Sequence, residues 1–82
     1  MDILKNPTTV KLLAAQLTLA CDEYIARKLP EKQFRELLLH YASHHGKRLF
    51  SANDLNPTII NRIGKKRLEL VNIMLEGFQY KF

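Results

Sequence analysis

Three prolines and three glycines are the only residues of their kind in 82, and they fall where helices would begin and end. Asn6-Pro7 and Asn56-Pro57 each set a capping residue before a proline suited to the first helical position. Pro30 follows Leu29 in the same manner, with Glu31 in the first turn, where the helix dipole favours a carboxylate. Gly46 follows His45 and suits a left-handed helix stop. Between these marks Leu, Ala, Glu, Lys and Gln dominate, and no alternating strand pattern occurs. The punctuation predicts one all-α domain over residues 1–82, a small bundle of three or four helices. The helices are expected at about 7–27, 30–45 and 57–76, with a long connection over 46–56 and a tail over 77–82.

The periodicity within each block supplies a core. Val10, Leu13, Ala14, Leu17, Cys21 and Tyr24 recur at the three-and-four spacing of one buried helical face. Phe34, Leu37, Leu38 and Tyr41 do the same in the second helix. In the third, Ile60, Ile63, Val71, Met74 and Phe78 point inward, flanked by Leu70 and Leu75. Several apolar residues are left over. Leu12 and Leu19 point away from the first stripe, Leu39 falls on the outer side of the second helix, and Ile73 joins them. The tail adds Phe78, Tyr80 and Phe82. Either the first helix is central in the bundle, or these residues form an interface with a partner or a second copy. Leu12, Leu19, Leu39, Ile73, Tyr80 and Phe82 are therefore the candidate apolar interface.

Charge narrows the search further. Thirteen basic residues stand against eight acidic ones, a formal charge of +5. Lys47, Arg48, Arg62, Lys65, Lys66 and Arg67 oppose only Asp54 within residues 47–67, so that quarter of the chain carries the whole excess. A concentrated block creates a directional field that a spread charge would not. These six residues are the candidate contact to a partner or to nucleic acid. Arg67 also falls near the centre of the apolar stripe if the third helix is continuous, which suggests a salt bridge to Glu31, Asp54 or Asp22. A break at Gly64 would instead let Arg67 join Lys65 and Lys66 at a helix start.

No catalytic pattern is present. The chain has no Ser-His-Asp order, no paired-carboxylate motif and no phosphate-binding loop, and no enzyme activity or cofactor is expected. His40 and His44 are four apart on a helix, a spacing that can chelate a metal. No further Cys or acidic group lies at a ligand spacing, so His40, His44 and His45 are expected to serve the C-terminal end of the helix dipole, and no metal is expected. Cys21 reads as core, and a lone cysteine fits a reducing cytoplasm. The longest uncharged stretch, Leu12 to Cys21, is too short to span a bilayer, and Asp2 breaks any N-terminal signal run.

Asn56-Pro57-Thr58-Ile59-Ile60 and the run Ile63-Gly64-Lys65-Lys66-Arg67-Leu68-Glu69-Leu70-Val71-Asn72 resemble small accessory proteins of Gram-positive bacteria, their plasmids and phages. In size, helical content and this C-terminal stretch the chain is also similar to the TscA-type antitoxins. The resemblance implies a small regulator that binds and neutralises a protein partner. The reading expected from sequence is thus a non-enzymatic helical regulator of a protein partner. Its alternative is a DNA-binding regulator that uses Arg62, Lys65, Lys66 and Arg67.

Overall fold

The computed structural model describes residues 3, 6–51 and 54–76. Their architecture is all-α, with one minimal hairpin. The elements are α1 (Val10–Ile25), α2 (Glu31–His44), α3 (Gly46–Leu49), β1 (Phe50–Ser51), β2 (Asp54–Leu55), α4 (Pro57–Ile63) and α5 (Lys65–Met74). The strands pair antiparallel, Phe50 with Leu55 and Ser51 with Asp54. The expected long connection over 46–56 contains a short helix followed by a hairpin. Residues 77–82 of the expected tail, with Phe78, Tyr80 and Phe82, lie outside the described residues.

Side chains cap α1 and α4, whereas α2 starts directly after Pro30 with no side-chain cap. α1 begins three residues later than Asn6-Pro7 predicts. Thr9 is its cap, and the Leu12 amide donates to Thr9 Oγ1 at 3.0 Å. Pro7 is instead fully buried, and Asn6 turns its amide towards the end of α2. At α4 the expectation holds: Asn56 Oδ1 accepts from the Thr58 amide at 2.9 Å, and Pro57 occupies the first turn. Asn56 Nδ2 also donates to the Arg48 carbonyl, and its amide to the Leu49 carbonyl, which ties α3 to the start of α4. Gly46 is not a left-handed stop: it is buried and opens α3, while α2 ends on His45 with φ −126.

α1 sits in the middle and packs against all four other helices, most extensively α4. This central position accounts for much of the apolar residue that one stripe alone would not use. Leu13, Ala14, Leu17, Ala20 and Cys21 of α1 are buried against Phe34, Leu38, Tyr41 and Ala42 of α2. Tyr24 stacks on Phe34, with ring centroids 4.8 Å apart, and pins α1 to α2. Ile59, Ile63, Val71, Met74 and Leu75 close the other side. Ile60, expected inside, is half-buried: the buried positions of α4 are Ile59 and Ile63, four apart, and Ile60 packs at the edge of the core.

Candidate functional site

The third predicted helix is two helices, and Gly64 is the reason. It has φ 84 and ψ 166, a region that only glycine enters readily. The hydrogen-bond ladder is interrupted at the bend: the Gly64 amide still donates to Ile60 and its carbonyl accepts from Leu68, but the Lys65, Lys66 and Arg67 amides make no backbone bond back to Asn61, Arg62 and Ile63. One of the carbonyls so released is that of Ile63, which in an unbroken helix would accept from the Arg67 amide. The Arg67 side chain takes its place, with Nη1 donating to Ile63 O at 3.0 Å.

The same guanidinium reaches α1. Nε donates to Asp22 Oδ1 at 3.0 Å and Nη2 to Oδ2 at 3.2 Å, a bidentate pair. The hydrogen bond to Asp22 raises the Arg67 pKa above its ordinary value. Both side chains stay partly exposed, 35% for Arg67 and 50% for Asp22, so solvent screens the pair. Beneath it the buried Cys21 Sγ lies 4.0 Å from the Arg67 carbonyl. Burial pushes this thiol up to about 11, with Arg67 pulling it down and Asp22 adding to the rise. A thiol so placed is protonated and unreactive at neutral pH.

Two sequence expectations for Arg67 thus meet in one arrangement. The helix does break at Gly64, yet Arg67 is paired with Asp22, one of the three partners expected, and does not join the lysines. The rest of the basic block is displayed. Lys47, Arg62, Lys65 and Lys66 are exposed and Arg48 is half-buried, and none forms an ion pair with another described residue. Lys65 and Lys66 open α5, while Arg62 lies in the last turn of α4.

The apolar candidates divide. Leu12 is 40% and Ile73 53% exposed, as expected of an interface. Leu19 is half-buried, and Leu39, expected on the outer side, packs against the core. Tyr80 and Phe82 lie outside the described residues. Sequence reading passed over Ile25, the most exposed large apolar side chain among the described residues at 61%. It ends α1 four residues after Cys21, so its spacing alone did not set it apart from the buried stripe. Below the lysines, the exposed positions of α5 are Glu69, Asn72 and Ile73, with Glu76 just after its end.

A family model described as a conserved hypothetical protein matches residues 4–76, and the chain belongs to that family. No curated protein and no solved structure matches it. No helix among the described residues is long and apolar enough to cross a membrane.

Proposed function

From the geometry of the α4–α5 corner, we propose that the chain is a non-enzymatic binding module that regulates a protein partner, of the antitoxin or phage-inhibitor type. One observation carries the reading: the exposed side of α5 begins with Lys65 and Lys66 and continues into Glu69, Asn72 and Ile73. A surface built to follow a phosphate backbone gains from cations along its whole length, and loses where carboxylates interrupt them. Cations beside an exposed isoleucine and a glutamate suit a protein surface, where apolar anchors supply affinity and charge supplies steering. Leu12 and Ile25 extend the apolar candidates onto α1. The working compartment is the cytoplasm, in keeping with a single buried thiol.

The second reading, a DNA-binding regulator, rests on the displayed Lys47, Arg62, Lys65 and Lys66. A titration of duplex DNA at increasing salt separates the two. The protein-partner reading predicts weak binding that disappears at physiological salt and is unaffected by Ile73→Ser. Tight binding at physiological salt, abolished by a Lys65→Ala, Lys66→Ala double variant, would replace it with the DNA reading.

A further inference from the structure

All three histidines of the chain gather at the C-terminal end of α2, and the proposed binding module uses none of them. The His40 ring lies 4.5 Å from that of His44 and 5.9 Å from that of His45, centroid to centroid. Asn6 closes the group from the segment before α1. Its Oδ1 is 3.4 Å from His40 Nε2 and 3.1 Å from His45 Nε2. Two imidazole nitrogens, one within α2 and one just past its end, thus meet at one amide oxygen that the sequence had marked as a helix cap.

With each Nε2 protonated these contacts are hydrogen bonds, and at His45 that tautomer leaves Nδ1 buried with no partner. The spacing also fits another role. A tetrahedral ion with bonds of about 2.0–2.1 Å holds its ligand atoms roughly 3.3–3.4 Å apart. We propose that His40, His45 and Asn6 form a binding site for a divalent transition-metal ion, with solvent completing its coordination. Binding moves each imidazole proton from Nε2 to Nδ1 and turns Asn6 Oδ1 from a hydrogen-bond acceptor into a ligand.

No group of three or more His, Cys, Asp or Glu side chains among the described residues is arranged to hold a metal. The donor set is therefore two imidazoles and an amide oxygen, which favours zinc, nickel or copper over calcium or magnesium. The negative end of the α2 dipole favours a cation at this place. Lys47 and Arg48, which follow in α3, oppose it. With three protein donors and those two cations nearby, the expected affinity is below that of a closed structural zinc site.

Calorimetric titration of Zn²⁺ into the full chain at about pH 7.5 tests the site. One ion per chain is expected, with Asn6→Ala and His45→Ala each weakening binding ~10-fold or more and His44→Ala leaving it within a few-fold. Binding should weaken as the pH is lowered, because the ligands must be unprotonated. Asn6→Asp keeps the site's shape and adds a charge, so it should tighten Zn²⁺ binding; it also covers a His45→Ala chain that fails to fold. Absence of saturable binding overturns the proposal. So does binding that is lost in His40→Ala and His44→Ala but unchanged in Asn6→Ala, Asn6→Asp and His45→Ala, which is an adventitious surface pair.

Discussion

Two helix ends in this fold require a positive φ, and they fill it with opposite kinds of residue. At the end of α1 the residue is Arg27, with φ 63. At the junction of α4 and α5 it is Gly64, with φ 84. Arg27 sits in the ordinary left-handed well, and two backbone bonds hold it there. Its amide donates to the Tyr24 carbonyl at 3.0 Å, and that of Lys28 to Glu23 at 2.8 Å, the paired bonds of a Schellman motif. Gly64 combines its positive φ with ψ 166, where a Cβ is strained whatever the space around it. Nothing lies within 4 Å of where that Cβ would sit, so torsion alone excludes a side chain. The first turn tolerates a costly residue because its hydrogen bonds close on themselves. The second depends on glycine for its shape and borrows a side chain, Arg67, to satisfy one of the carbonyls it strands.

The comparison breaks most visibly at Gly64. Gly64→Ala should cost about 2–3 kcal/mol in denaturant-unfolding stability, since alanine must either hold a strained backbone or straighten the corner. Straightening would separate Arg67 from Asp22 and uncover Cys21, so alkylation of the native thiol should become faster. An unchanged midpoint and an unchanged alkylation rate would mean that the corner does not need glycine. Arg67→Ala should cost about 1–2 kcal/mol, most of it from the Ile63 carbonyl left without its donor. Asp22→Asn should cost less, within ~1 kcal/mol, because the pair is half in solvent. Equal losses in the two variants would show that the ion pair, and not the carbonyl, holds the bend.

At the other turn the sign reverses. Arg27→Gly should raise stability by about 0.5–1 kcal/mol, seen as a higher Tm, because glycine enters the left-handed region without the penalty that arginine carries. A lower Tm would mean that the Arg27 side chain makes a stabilising contact that outweighs its backbone.

Alkaline titration reads the core beneath the Gly64 corner. Burial lifts Cys21 from 9.0 to about 11 and Tyr41 from 10.0 to about 12. The folded chain therefore keeps both protons to higher pH than the unfolded chain does. Stability from these groups is whole below about pH 9 and is lost as pH rises through 11 and 12. Cys21→Ala should shallow the first part of that decline in a denaturation series between about pH 8 and 11.

Much of the fold was legible because helix periodicity is a local signal. The buried faces of α1 and α2 follow from the spacing of Leu13, Leu17 and Cys21 and of Phe34, Leu38 and Tyr41. Gly64 could be marked as a place to bend, and Asp22 as one possible partner of Arg67. What stayed hidden was the choice between them, since it depends on α1 standing beside the start of α5, a contact between residues 45 positions apart. Asn6 misled for a related reason. Its spacing to Pro7 is that of a cap, but its amide is used by His40 and His45, far away in sequence. The short hairpin was unreadable because two-residue strands leave no alternation to detect. Periodicity already set Arg67 apart from Lys66 on the apolar stripe, but only the fold shows that its partner is Asp22.

The central claim, that the displayed face of α5 meets a protein, is tested most directly by a photoreactive residue placed at Ile73 in living cells of a host that carries this chain. The account predicts a discrete protein adduct that survives nuclease treatment and weakens when Lys65 and Lys66 are both replaced by Glu. An adduct that nuclease removes, or a protein adduct indifferent to the two lysines, would contradict it.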